Sequence, residues 1–256
     1  MSDVRRRFVR LSIFLLPALL ILAALHFFRG DLREAAPSLM MPRYAFDGVT
    51  FIMKGRSRAE ALAPWTQQVI EKLKERSAIY GFKAPERGFL IEVQSAGAAS
   101  ECELKSNRIV IRGIRDDAPW ELIRQDLSRL IARTMLREGA PDADFSPWFE
   151  EGVSRFYEGL QPPFGSRKPE LIVHAARNPP ASLEGALESR GGAYFAAVSH
   201  SIIAFLHEAY TAELIAKYAE IERAPGSVML GEFQRIFGKD VEKEWREFLA
   251  QRQKGS

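Results

Sequence analysis

Few side chains in this 256-residue chain could carry chemistry. The four histidines stand at 26, 174, 200 and 207, and Cys102 is the single cysteine. His200 and His207 are seven positions apart in one expected helix, so they share a face but lie two turns apart, too far for one metal ion at ordinary bond lengths. Cys102 sits between Glu101 and Glu103, and flanking carboxylates disfavour the reactive thiolate. There is no G-x-S-x-G elbow, no glycine-rich phosphate loop and no cysteine–histidine pairing. Two stretches stand out by their layout, a long helix and then a second helix opening on Trp and two glutamates. Gln125, Asp126 and Arg129 fall within E121-L-I-R-Q-D-L-S-R129, and Glu150 and Glu151 fall within S146-P-W-F-E-E-G152. Carboxylates in the first turn of a helix are favoured by its dipole alone, so Glu150 and Glu151 have an ordinary explanation as solvated residues.

Charge excludes one class of partner. The formal net charge is +3. Arg5, Arg6, Arg7 and Arg10 against Asp3 supply all of it, so residues 11–256 sum to zero. A neutral body lacks the basic footprint that nucleic acid requires. The four arginines instead precede L11-S-I-F-L-L-P-A-L-L-I-L-A-A-L-H-F-F28. At about 1.5 Å per residue this run is just long enough to cross a hydrocarbon core of about 30 Å. Basic residues are denser before it than after it, which places the N-terminus in the cytoplasm and residues 30–256 outside. Arg33 and Glu34 stand where a signal peptidase site needs small residues, so an uncleaved signal-anchor is expected. The segment V4-R-R-R-F-V-R10 also has the look of a twin-arginine export signal. The expected location is the inner or plasma membrane, single-pass, with the main domain periplasmic or extracellular.

The elements that position the polar groupings follow from periodicity. Residues 1–10 read as a basic tail, 11–28 as the membrane helix, 29–43 as a spacer and 44–250 as one domain. Within that domain, 44–116 reads as an α/β lobe. V49-T-F-I-M53, F89-L-I-E-V93 and R108-I-V-I-R112 are expected strands, and a helix from Glu60 to Tyr80 is stopped by Gly81. The sheet is expected to be antiparallel or mixed. Residues 117–250 read as a helical lobe, with helices at 118–138, from Ser146, and over 193–208. The proline-punctuated stretch through Pro162, Pro163, Pro169, Pro179 and Pro180 reads as a connector. The fold class is α+β.

In the 118–138 helix, Trp120, Ile123, Leu127, Leu130, Ile131 and Met135 occupy an arc of about 140°, the main buried face. Leu122, Gln125, Arg129 and Leu136 form a second stripe roughly opposite. Such a helix is covered on two sides, so Gln125 and Arg129 are expected to be partly buried and to need partners.

This order of elements resembles the peptidase MA-like, or gluzincin, metallopeptidases. W148-F-E-E-G152 with S154-R-F-Y-E-G159 is similar to that family's W-x-x-E-G helix, whose glutamate is the third zinc ligand. G192-A-Y-F-A-A-V-S-H-S-I-I-A-F-L206 resembles its next helix, and F237-G-K-D-V-E-K-E-W-R-E-F248 its closing segment. The resemblance implies a small sheet lobe followed by a mostly helical lobe, with a cleft between the sheet and the 118–138 helix where Trp148, Glu150 and Tyr194 would lie.

Where the family has HExxH, this chain has Q125-D-L-S-R129. Zinc hydrolysis needs two neutral imidazoles at i and i+4, a carboxylate ligand and a glutamate base. Gln125 is a poor ligand, Arg129 is a fixed cation, and Asp126 is one methylene short of the base. Only Glu151 keeps its type. The expectation is a non-catalytic pseudo-metallopeptidase without zinc, binding a peptide or protein in the former cleft, with Arg129 paired to Glu151 or Asp126. An active hydrolase with a non-standard site and a purely structural envelope protein are the alternatives.

Overall fold

The computed structural model describes residues 41–95, 101–103, 107–114, 120–159, 167–188, 191–224 and 230–254, with backbone alone at 101–103, 120–122, 159 and 167–169. The expected membrane helix at 11–28, the basic tail, most of the spacer, the prolines at 162 and 163, and the side chains of Cys102, Trp120 and Leu122 lie outside the described residues. No helix among the described residues is long and apolar enough to cross a membrane. Residues 43–256 form one unit, and its class is α+β.

Its sheet begins with a hairpin. β1 (Arg43–Phe46) turns through Asp47 and Gly48 into β2 (Val49–Ile52), and Gly48 has φ of 68°. Only Gly48, at the second turn position, takes left-handed backbone, which glycine adopts without steric cost. Gly48 also accepts a 2.9 Å hydrogen bond from the Phe89 N–H, which ties the turn to β3 (Phe89–Val93). β2 runs parallel to β3, and β3 parallel to β5 (Arg108–Ile111). β4 (Glu101–Glu103) closes the far edge antiparallel to β5, giving the order β1-β2-β3-β5-β4. The sheet is therefore mixed. Parallel neighbours need a crossover, and α1 (Arg56–Lys74) supplies it between β2 and β3.

The expected 60–80 helix is divided. α1 ends at Lys74 and a short α2 (Ser77–Tyr80) follows, with Gly81 at φ 65° as its left-handed cap. α1 also starts earlier than expected, so Pro64 falls inside it. Pro64 is exposed, where the missing N–H costs least. On the covered side of the sheet Phe51, Ile91, Ile109 and Ile111 are buried, with Leu62, Val69 and Leu73 of α1 in the same core.

The rest of the unit is helical: α3 (Trp120–Gly139), α4 (Pro147–Gly159), α5 (Arg167–Arg177), α6 (Leu183–Glu188), α7 (Gly192–Ala209), α8 (Ala212–Arg223), α9 (Leu230–Phe237) and α10 (Val241–Lys254). The supposed connector holds two helices, α5 and α6. Pro169 sits in the first turn of α5, where a missing donor would be unsatisfied in any case. α4 packs between α3 and α7, and α3 also lies against β4 and β5. The α4–α7 approach is close: a Cβ at Gly152 would meet the Ser199 carbonyl oxygen at 2.6 Å and Ile203 Cγ1 at 2.8 Å.

Candidate functional site

α3 is buried on both sides. Ile123, Leu127, Leu130, Ile131 and Met135 are in the core, the face that the apolar period defines. Leu136 and Arg129, on the opposite stripe, are buried as well, and Gln125 is half-buried. Beside that stripe, Arg133 and Arg137 of α3 reach across to Glu150 of α4.

Glu150 is only 4 % exposed. It accepts hydrogen bonds from Arg133 Nη2 at 2.9 Å and Arg137 Nη2 at 2.7 Å, and a further one from Arg137 Nε. Burial by itself would push its carboxyl up, but the two guanidiniums outweigh that and hold it below the ordinary carboxylate range. Arg133, whose charge burial opposes, is kept firmly protonated by Glu150 and by the nearby charge of Glu151. Glu150 was expected to line a cleft; it joins two helices instead. The missed signal lies in α3, where Arg133 and Arg137 are one turn apart and present two donors to one carboxylate.

Glu151 takes a different partner. Its Oε1 accepts from Arg155 Nε at 2.8 Å, one turn along α4, while Arg155 Nη1 donates to Glu158 at 3.0 Å. Glu158 is buried. Arg129 Nη2 lies 3.5 Å from Asp126 Oδ1. Of the two contacts expected for Arg129, the one to Asp126 is present, and Glu151 is held by Arg155. Among the described residues, Arg133 and Arg137 thus bridge α3 to Glu150 of α4, Arg129 meets Asp126 within α3, and Arg155 holds Glu151 and Glu158 within α4.

Trp148 was also expected to line the cleft. It is 1 % exposed, with its ring edge-on to Phe149 at 5.7 Å and to Phe233 at 5.9 Å, and tilted against Tyr218 at 6.0 Å. A side chain of that area is worth more to the core than to a cleft wall. Tyr194 is exposed on α7; its hydroxyl donates to the Asn178 carbonyl and its ring meets His174. Its contacts are on the α5 side of α7.

The start of α4 is fixed from α8. Glu222, buried, accepts the Ser146 backbone N–H at 3.0 Å and the Tyr218 hydroxyl at 2.7 Å. Burial pushes its carboxyl up, and these hydrogen bonds only partly offset the effect. The α7 histidines serve packing. His207 stacks on Phe156 at 4.3 Å and its Nε2 lies 2.8 Å from the Tyr80 hydroxyl, while His200 is fully buried beside the same Phe156.

A zinc ion does not fit these residues. Gln125 offers an amide, Arg129 a fixed cation and Glu151 a carboxylate already bound to Arg155, with no imidazole or thiolate among them. No group of three or more His, Cys, Asp or Glu among the described residues is disposed to hold a metal. Compared with known proteins, the chain matches no family model and no curated protein.

Proposed function

We propose that residues 43–256 are a gluzincin-like domain that neither binds zinc nor catalyses hydrolysis. The domain is anchored by residues 11–28, faces the extracytoplasmic side, and takes a peptide or protein segment in the cleft beside α3. One observation carries the reading: at the positions corresponding to two metal ligands, Arg129 is bound to Asp126 and Glu151 is bound to Arg155. Each of these positions is held by an ion pair within its own helix, and Arg133 and Arg137 join α3 to α4 through Glu150.

The peptide part of the reading draws on the sheet. β4 is an edge strand, antiparallel to its neighbour, and it lies against α3. An edge strand offers unpaired backbone groups along one side, and an extended segment can add to it there. The hydrolase alternative needs a carboxylate available to take a proton or a ligand, and Glu150, Glu151 and Glu158 are all ion-paired. The scaffold alternative draws on the burial of Arg129.

The test is metal content. The full chain, purified in detergent, is equilibrated with zinc, freed of excess ion and analysed by mass spectrometry of the dissolved protein. The expected result is zinc well below one ion per chain in a folded, monodisperse sample. Stoichiometric zinc would overturn the reading.

A further inference from the structure

Arg129 is poorly matched to its surroundings. It is 8 % exposed, yet its one partner among the described residues is Asp126 at 3.5 Å, the outer limit of a hydrogen bond. Its Nε is sealed from solvent with no acceptor. A guanidinium carries five N–H donors in a rigid planar fork, and burying that charge without acceptors is expensive. Arg155 binds two carboxylates at 2.8 and 3.0 Å, and Arg133 and Arg137 share Glu150. Arg124 Nε is likewise sealed, but its guanidinium lies over the Trp65 ring at 5.5 Å. Asp126 also makes a further contact of its own, so it is not devoted to Arg129.

Gln125 lies one turn earlier on the same face of α3, a spacing at which side chains are neighbours. Its backbone carbonyl accepts from Ser128 Oγ, and its half-buried carboxamide has no partner among the described residues. Two adjacent side chains on α3 thus offer N–H donors without matching acceptors. About a tenth of the Arg129 side-chain surface remains accessible, which is the approach for a ligand.

We propose that Arg129 and Gln125 form a receptor for a carboxylate carried by the bound segment. The inference rests on the non-catalytic reading of this same site. A planar, two-oxygen anion matches the guanidinium fork, and the Gln125 amide supplies a further donor. A single negative charge is favoured over a doubly charged phosphate, because Asp126 already places one negative charge 3.5 Å from Arg129. Glu151 does not compete for the fork, since Arg155 holds it. The carboxylate can come from a chain terminus or from an acidic side chain.

The experiment uses the full chain in detergent micelles with 15N-labelled arginine. The Arg129 Nε–Hε resonance is assigned by its loss in Arg129→Lys. Three probes are titrated: acetyl-trialanine with a free carboxylate, the same peptide amidated, and amidated acetyl-Ala-Asp-Ala. A saturable shift of the Arg129 resonance is expected with at least one acid probe, and at least about tenfold weaker binding of amidated trialanine. A response to the first probe alone assigns a chain terminus, to the third alone an acidic side chain, and to both a general carboxylate receptor. Arg129→Lys, which keeps the charge but not the fork, should lose most of the affinity, read by isothermal titration calorimetry with the same probes.

No shift with either acid, equal binding of the amide, or unchanged affinity in Arg129→Lys overturns the inference. If that variant does not fold, the Arg129 signal is assigned by triple-resonance correlation and the acid–amide comparison on the unaltered chain decides alone. Zinc binding overturns the reading beneath it; carboxylates failing on a zinc-free protein overturns this inference alone.

Discussion

Glu150 and its two arginines differ in what each stands to lose. The Glu150 side chain is 5 % exposed, whereas Arg133 and Arg137 keep about a third of theirs in solvent. Removing the carboxylate leaves two cations that can turn back to water, at a cost of about 1–2 kcal/mol. Removing both cations strands a buried anion, which costs about 3–5 kcal/mol. Arg133→Met with Arg137→Met should therefore lower unfolding free energy in urea more than Glu150→Gln does. The pH profile follows with its sign fixed. Glu150 titrates lower in the folded state than in the unfolded chain, so its contribution is full above the ordinary carboxylate range and is lost as pH falls through the folded value. Glu150→Gln should flatten that acid limb; a mutant limb as steep as the parent's would remove Glu150 from the account.

At the scale of elements, the glycine of W148-F-E-E-G152 acquires a packing reason. α4 and α7 approach so closely at Gly152 that any side chain there runs into the Ser199 carbonyl and Ile203. Backbone cannot move aside as a flexible side chain can, so Gly152→Ala is expected to destabilise the domain by about 1–3 kcal/mol, read from thermal or urea unfolding. Unchanged stability would mean that α4 can slide along α7 at little cost. Much of the helical frame was legible in the sequence because its apolar spacing is regular: α4 starts one residue after its expected start, and α7 lies within a residue of expectation at each end. β1 was not, since four residues of alternating exposure give too short a pattern to separate from the spacer. α5 and α6 were hidden by prolines that punctuate the stretch without breaking either helix. The ion-paired seam was least legible of all. Arg133 meets Glu150 only because two helices pack face to face, and no spacing within one helix records that contact. The burial of Trp148 was missed for the same reason: its neighbours Tyr218 and Phe233 come from α8 and α9.

At the scale of the whole molecule, the distribution of charge argues for orientation. All of the net +3 resides in residues 1–10, ahead of an apolar run at 11–28, and the remainder sums to zero. For the proposed anchor, a neutral domain gives no electrostatic reason to stay on either side of a membrane. The arginines beside the apolar run would set the choice by resisting translocation. The chain is expected to stay in the membrane pellet through alkaline carbonate extraction. In right-side-out sealed vesicles, added protease should remove a tag at residue 256 and spare a tag at residue 1. Replacing Arg5, Arg6, Arg7 and Arg10 by glutamate leaves Arg29 and Arg33 as the basic residues next to the run, and a substantial fraction of chains should then invert and shelter the C-terminal tag. Release of the unaltered protein by carbonate, or a C-terminal tag protected from the start, would remove the anchor or its orientation. The acid-peptide receptor at Arg129 would then be sought in a different compartment.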